Sequence, residues 1–330
     1  MEETTHLQMF VGVCLLVSGG KMERLRKPGI FEVNLLFMIL GFGLLFLGYL
    51  VQSKEIYVGL LITEYVIILL PNILYLLIRR YSLKKIIKLN SISIKQILFS
   101  IIIMVFAYPV AVFVNAIVLA LVSSFSSAIP TTVPLPTTFE EYIKGLFVIA
   151  LAPGICEEVM FRGTLMSAYD RYGRVKSIII TSLLFGIFHF NLMNLAGPIF
   201  LGLVLGVLRH KTNSIIAPMI GHTINNGIAL TIGYFATKYS GEIQGLASEN
   251  LQLGSSMELF VSLISMGGFA LFSLGAMMFF LKRMPETYKG YDSWEFAAEY
   301  KEPPTILKYI PVLIIILIFI VINIALLFFV

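Results

Sequence analysis

Apolar runs of membrane-spanning length are the feature that most constrains this chain. Runs of about 20 apolar residues, the length that crosses a bilayer as an α-helix, recur from residue 31 onwards. Of the 330 residues, 58% are hydrophobic and 13% are charged, whereas a soluble domain has about 45–50% apolar and about 25% charged residues. The sequence therefore predicts a polytopic integral membrane protein.

The predicted fold class is an all-α bundle of eight to nine transmembrane spans. Nine stretches qualify, two of them short: 31–52, 56–79, 97–122, 143–168, 177–191, 197–209, 214–236, 257–281 and 306–330. The apolar stretch 7–18 is too short to cross and is predicted to be an interfacial or re-entrant helix. The last span has almost no polar side chain apart from Asn323, so we expect a lipid-facing anchor.

The distribution of basic residues predicts the orientation. With the loops 19–30, 79–96, 162–177, 209–214 and 282–305 on one side, that side and its helix ends hold 21 of the 24 Lys and Arg. The positive-inside rule makes this side cytoplasmic, with the N-terminus inside and the loop at 123–138 outside. The net charge of +5 is thus a topology signal, and the predicted partner is the lipid bilayer and not a nucleic acid.

Two adjacent carboxylates, Glu157 and Glu158, interrupt the otherwise apolar stretch 146–161, and His189 and His222 lie in equally apolar surroundings. Ionisable groups at membrane depth are costly and are usually retained for function. Counted at about 1.5 Å per helical residue from the nearest basic loop, Glu157 and both histidines lie at similar depths, roughly 16–21 Å. His210 lies between two basic residues and is expected to be an exposed loop residue instead.

Helical spacing separates the two carboxylates. Glu158 and Arg162 are four residues apart and are predicted to pair along one helix face. Glu157 points about 100° away and stays available as a base. Pro153 and Gly154 precede the pair and can kink the helix to open space beside it.

Two further apolar segments, 177–191 and 214–236, add polar groups to these carboxylates. His222 and Asn226 are four residues apart on one face, and Phe185 lies one turn before His189. If the three helices pack together, a carboxylate, two imidazoles and an amide converge on one cavity.

These groups suit water activation. A carboxylate can take a proton from water while imidazole and amide donors stabilise the oxyanion of a tetrahedral intermediate, which is the combination that peptide hydrolysis needs. The set Glu157, His189 and His222 could instead ligate a divalent metal such as Zn²⁺, with a position left for water. The sequence has no HExxH motif, so such a site would differ from the usual zinc protease arrangement.

The three motifs resemble those of one protein family. EEVMFRG at 157–163 has the form EExxxR, FGIFH at 185–189 the form FxxxH, and HTINN at 222–226 the form HxxxN, in this order on successive apolar segments. Together they resemble the CPBP (Abi, Rce1-like) glutamate intramembrane proteases, which include the CAAX-processing endopeptidase. The resemblance covers about residues 140–236.

The resemblance implies a role for each motif residue. It makes Glu157 the residue that activates water, with Glu158, Arg162 and Phe185 in support. It has His189 assist with the water and the proton, and it has His222 and Asn226 stabilise the oxyanion. It further implies a conical intramembrane cavity reached from the cytosolic side and a mechanism that requires no metal, although the family was long described as metal-dependent.

The resemblance divides the chain into a catalytic core at 131–240 and flanking spans at 1–130 and 241–330, within one continuous membrane domain. The expected function is an intramembrane endopeptidase acting on a peptide or membrane-protein substrate in a bacterial plasma membrane. Two alternatives remain open. The same Glu and His residues could relay protons in a proton-coupled transporter, or the chain could be a catalytically silent immunity or scaffold protein.

Overall fold

A computed structural model describes residues 27–123, 135–239, 255–287 and 305–328. The predicted helix at 7–18 and most of the loop at 123–138 lie outside these ranges. Within them the regular secondary structure is entirely helical, which confirms the predicted all-α class.

The helices of the described part are labelled in chain order. They are α1 (Ile30–Gln52), α2 (Ile56–Ile78), α3 (Leu83–Ile87), α4 (Ile94–Ser123), α5 (139–169), α6 (Arg174–Phe188), α7 (Ala196–Thr212), α8 (Ile216–Lys238), α9 (Ser255–Arg283) and α10 (Ile310–Phe328).

Six helical stretches of the described part are long and apolar enough to cross a membrane: α1, α2, α4, α7 with the turn before it, α9, and α10 with the turn before it. The chain is therefore described as an integral membrane protein, but the predicted count of eight to nine spans is not confirmed. Apart from the short α3, the helices outside this count are α5, α6 and α8, which carry the three motifs. Six charged side chains interrupt α5, and α6 has only 15 residues.

The motif helices occupy the middle of the bundle. α8 packs along both α5 and α4, α6 packs against α7, and α2 packs against the segment of α5 that holds the carboxylates. Arg162 and Tyr169 of α5 are among the largest side chains that are completely buried. A charged residue in the centre needs partners within the protein, because no water is at hand to solvate it.

Wide π-helical turns flank the carboxylates of α5. The α-helical segment Ala152–Glu158 lies between π-helical turns at Leu146–Leu151 and Val159–Leu165. Pro153 has no N–H, so the carbonyl of Ile149, four residues earlier, lacks its usual α-helical donor. Such turns are frequent at functional sites, because they shift side chains out of the regular α-helical register.

The C-terminal helix α10 combines exposed apolar side chains with a buried polar one. Many of its apolar side chains are exposed, as predicted, but Asn323 is buried. The Asn323 side chain accepts a hydrogen bond from the Leu192 N–H at 2.7 Å and donates to the Phe190 carbonyl at 3.3 Å. The predicted anchor therefore also holds the turn that follows His189.

The expectation that His210 is an exposed loop residue is wrong. Helix α7 continues to Thr212, and the His210 side chain is only 3% exposed. Its Nε2 lies 3.4 Å from Oδ1 of Asp170, which follows the end of α5. The nearby carboxylate gives the imidazole a buried partner.

Candidate active site

The centre of the site is a buried ion pair on one turn of α5. Arg162 Nη1 donates to Glu158 Oε1 at 2.6 Å, and both side chains are fully buried. Arg162 Nη2 also donates to the Gly202 carbonyl at 3.3 Å. The guanidinium lies over the Phe185 ring, 4.5 Å from its centroid, within the range of a cation–π interaction. The predicted pairing along one helix face is thus present.

Glu158 has a second partner that spacing along one helix does not reveal. His222 Nδ1 lies 2.9 Å from the same Oε1. An ionised carboxylate only accepts hydrogen bonds, so beside ionised Glu158 the Nδ1 of His222 carries the proton and donates it. This bond fixes the imidazole so that Nε2 faces Glu157, 3.9 Å from its Oε2.

Glu157 has no comparable anchor. Its side chain is 12% exposed, and its Oε2 has no hydrogen-bond partner among the described residues. The gap of 3.9 Å to His222 Nε2 is longer than a direct hydrogen bond and suits a bridging water molecule. The two adjacent carboxylates are therefore unequal: Glu158 is held by a cation and an imidazole, and Glu157 is held by neither.

Phe185 lies between the two imidazoles. Its ring centroid is 5.1 Å from that of His189 and 5.6 Å from that of His222, edge to face in both cases. His189 is exposed at the end of α6, and its Nδ1 is bonded to the Phe185 carbonyl at 2.9 Å. In the described structure His189 makes no hydrogen bond to Glu157 or Glu158, so its link to them runs through Phe185.

Asn226 joins α8 to α5. Its Nδ2 donates to the Ile149 carbonyl at 3.1 Å, the same carbonyl that Pro153 leaves without an α-helical donor. Its Oδ1 accepts from Asn225 Nδ2 at 3.1 Å. An amide has two N–H donors, so one N–H of Asn226 remains for another partner. The geometry gives Asn226 a helix-linking role, and its oxyanion role stays a prediction.

A third carboxylate, Glu64, is absent from the residues predicted above. It lies in the π-helical turn Ile62–Leu69 of α2, is only 5% exposed, and interacts electrostatically with Glu157. Its Oε2 has no hydrogen-bond partner in the part of the chain that the structure describes. An ionisable residue in an apolar span was a sufficient signal to find it.

The residues do not fit the alternative metal site. Within the described ranges no three His, Cys, Asp or Glu side chains lie close enough to hold one ion. The Nδ1 bonds of His222 to Glu158 and of His189 to a main-chain carbonyl leave both Nε2 atoms open, so it is the separation of the three side chains that speaks against the metal site. The chemistry is therefore derived from the protein groups alone.

A second buried ion pair closes the bundle near the basic loops. Arg209 Nη1 donates to Asp170 Oδ2 at 2.9 Å, and both side chains are almost fully buried. Burial would raise the pKa of Asp170, but the charge of Arg209, with His210 and Lys27, outweighs it and holds that pKa well below its ordinary value. We call this end of the bundle the basic end.

An apolar cavity of 670 Å³ lies on the other side of the carboxylates from the basic end, between α5 and α8. Its lining comes from one face of each helix: Ile143, Leu146, Phe147, Ala150, Leu151, Thr223, Ile224, Gly227, Ile228, Thr231 and Ile232. The conical cavity implied by the resemblance is not confirmed.

Comparison with known proteins gives a family match that covers the three motifs. Residues 139–228 match the family model described as type II CAAX prenyl endopeptidase Rce1-like. This range begins at the first residue of α5 and ends two residues after Asn226, and it confirms the family resemblance found in the three motifs. No curated protein and no solved structure is significantly similar to the chain.

Proposed function

We propose that this chain, whose residues 139–228 form an Rce1-like segment of a peptidase family, is an intramembrane endopeptidase that uses Glu157 to activate water. The observation that carries the proposal is the contrast between the two carboxylates. Glu158 is bonded to Arg162 and His222, while Glu157 has a buried oxygen without a hydrogen-bond partner among the described residues, 3.9 Å from the same imidazole.

The proposed reaction begins at the gap between Glu157 and His222. The Glu157 carboxylate takes a proton from a water molecule as the water oxygen attacks the carbonyl carbon of the scissile peptide bond. The negative charge that develops on the carbonyl oxygen needs donors at fixed positions. In its imidazolium form His222 supplies Nε2–H, and Asn226 supplies the N–H that the Ile149 carbonyl does not use.

Collapse of the tetrahedral intermediate completes the reaction. The C–N bond breaks, and the proton held by Glu157 passes to the leaving amine. Glu158 takes no proton in this scheme. It orients His222 and stabilises the imidazolium, as the carboxylate of a Ser-His-Asp triad does for its histidine. His189, which is linked to His222 by two edge-to-face contacts through Phe185, assists this transfer of the Glu157 proton and is not a second proton donor.

The test compares the peptides released from membranes that contain wild-type protein or Glu157→Gln. Gln keeps the shape and cannot act as a base, so we expect the wild-type products to disappear. Glu140→Gln is the matched control, because Glu140 lies on the same helix, is exposed and forms an ion pair with Lys144 at 2.7 Å. An identical peptide profile for wild type and Glu157→Gln, at equal expression, would sink the proposal.

A further inference from the structure

A glycine, Gly227, opens directly onto the apolar cavity between α5 and α8. A Cβ built on Gly227 meets only Leu146 Cδ2, at 3.9 Å, which is an ordinary contact. The helices touch closely at the inner end of the cavity, where a Cβ on Gly154 would lie 2.3 Å from Thr223 Oγ1. The cavity volume of 670 Å³ lies within the range of about 300–1,000 Å³ that is usual for ligand sites.

Polar contacts close the far end of the cavity. Tyr142 OH is hydrogen-bonded to Thr231 Oγ1 at 2.9 Å, and the Tyr142 ring stacks on Tyr234 with a centroid distance of 4.9 Å. These contacts hold α5 and α8 together about one to two turns beyond Gly227. The cavity is therefore a defined recess between two fixed contacts.

The sides of the recess carry exposed apolar side chains. Phe147 is 61% exposed and Ile232 is 53% exposed, on opposite helices of the recess. Exposed apolar side chains on helices of a membrane protein face lipid. The basic end, by contrast, is tied by main-chain contacts, since the Ile215 N–H donates to the Lys88 carbonyl at 3.0 Å. An apolar molecule thus reaches the recess laterally from the bilayer.

The inner end of the recess carries unused hydrogen-bonding capacity beside the candidate active site. Thr223 follows His222 and lines the cavity, and its hydroxyl has no hydrogen-bond partner within the described ranges. Asn226, one turn further along α8, has one N–H without a partner in the described part of the chain. An acyl chain cannot use these groups, whereas a polypeptide main chain offers carbonyls and N–H groups to both.

We propose that the recess is the substrate subsite and that it binds an apolar, membrane-embedded polypeptide segment next to the scissile bond. This segment enters laterally, from the half of the membrane farther from the basic end. The inference rests on the proposed function, because it places the scissile bond between the recess and Glu157. It assigns the substrate class as membrane-spanning polypeptides, in preference to soluble chain ends that approach past the basic end.

The test measures occupancy directly, so that it does not depend on catalysis. Purified protein is reconstituted in phosphatidylcholine vesicles with a Leu/Ala membrane-spanning peptide that carries photo-leucine at its centre, and the crosslinked residues are mapped by mass spectrometry. We expect crosslinks concentrated on 143–151 and 223–232. Gly227→Leu should reduce them at least about tenfold, the effect of excluding one apolar side chain, and Gly227→Ala should reduce them less.

Gly275→Leu is the control, because Gly275 is exposed on α9 and a Cβ there meets nothing within 4 Å. Crosslinks spread evenly over the lipid-facing helices, or unchanged in a folded Gly227→Leu protein, would overturn the proposal. So would a photoreactive phosphatidylcholine that labels the recess and is not displaced by the peptide. Glu157→Gln is expected to lose hydrolysis and keep the crosslinks. The crosslinks therefore test the subsite, and hydrolysis tests the active site, independently of each other.

Discussion

At the scale of single residues, α5 offers a natural comparison between two ion pairs of the same spacing. Glu158 and Arg162 are fully buried, whereas Glu140 and Lys144 are largely exposed. Removing one partner of a buried pair leaves an uncompensated charge without water, which costs about 3–5 kcal/mol. An exposed pair is screened by solvent and contributes little.

We therefore expect Arg162→Met to lower the free energy of unfolding by about 3–5 kcal/mol and Lys144→Met to leave it nearly unchanged. Thermal unfolding of the detergent-solubilised variants measures both. Equal stability of the two variants would mean that Glu158 is neutral in the folded protein, and the assignment of His222 Nδ1 as a donor to an ionised carboxylate would then be wrong.

Asp170 predicts a dependence of stability on pH. Its pKa in the folded protein lies below the unfolded value of about 3.9, so folding favours the ionised form. This contribution is fully present above the unfolded pKa and is lost as the pH falls towards the folded pKa. The wild-type melting temperature should thus fall more steeply than that of Asp170→Asn as the pH drops from roughly 5 to 3. Parallel curves would show that Asp170 does not carry the effect.

Sequence spacing predicted contacts within one helix and missed contacts between helices. The pair of Glu158 and Arg162 follows from the helical repeat alone. The bond between His222 and Glu158 depends on how α8 packs against α5, which the repeat does not contain. Glu64 is different, because its position in an apolar span already marked it.

At the scale of elements, the helices were predictable and their irregular turns were not. The predicted stretch 143–168 corresponds to α5 at 139–169, and 214–236 to Ile216–Lys238. The π-helical turns around the carboxylates depend on which carbonyls find partners on neighbouring helices. Pro153 signals only that one carbonyl needs a donor, and the sequence does not say that Asn226 supplies it.

This relation predicts coupling between Pro153 and Asn226. In the wild-type background, Asn226→Ala leaves the Ile149 carbonyl short of a donor and should cost about 1–3 kcal/mol of unfolding free energy. In the Pro153→Ala background the new N–H can reach that carbonyl, so the cost should shrink by about 1 kcal/mol or more. A double-mutant cycle from denaturant or thermal unfolding measures the difference. Strict additivity would mean that the Asn226 amide does not replace the donor that Pro153 lacks.

At the scale of the whole molecule, the site depends on helices outside the Rce1-like range 139–228. α2 contributes Glu64, which interacts with Glu157. α10 contributes Asn323, whose side chain binds two main-chain groups of the turn after His189. Composition predicted both helices as apolar spans, but their part in the site follows from packing over more than 90 residues of sequence separation.

The Asn323 contacts predict that the C-terminal helix supports activity. Phe190 has a positive φ of 50°, a conformation that costs a non-glycine residue about 1–3 kcal/mol and persists only where its surroundings hold it. Asn323 donates to the Phe190 carbonyl and accepts from the Leu192 N–H. Without these bonds the turn can relax and move His189, which immediately precedes it.

We expect Asn323→Leu to lower kcat by about tenfold or more, because small displacements of a catalytic group have large effects on rate. KM should change little, since no residue of this turn lines the recess between α5 and α8. Ile324→Leu is the matched control, as Ile324 is the next residue of α10 and its side chain is 48% exposed. If Asn323→Leu retains the kcat of this control, then either the turn keeps its shape without the Asn323 bonds or His189 takes no part in proton transfer. A crystal or NMR structure of the variant around Phe190 distinguishes these two explanations.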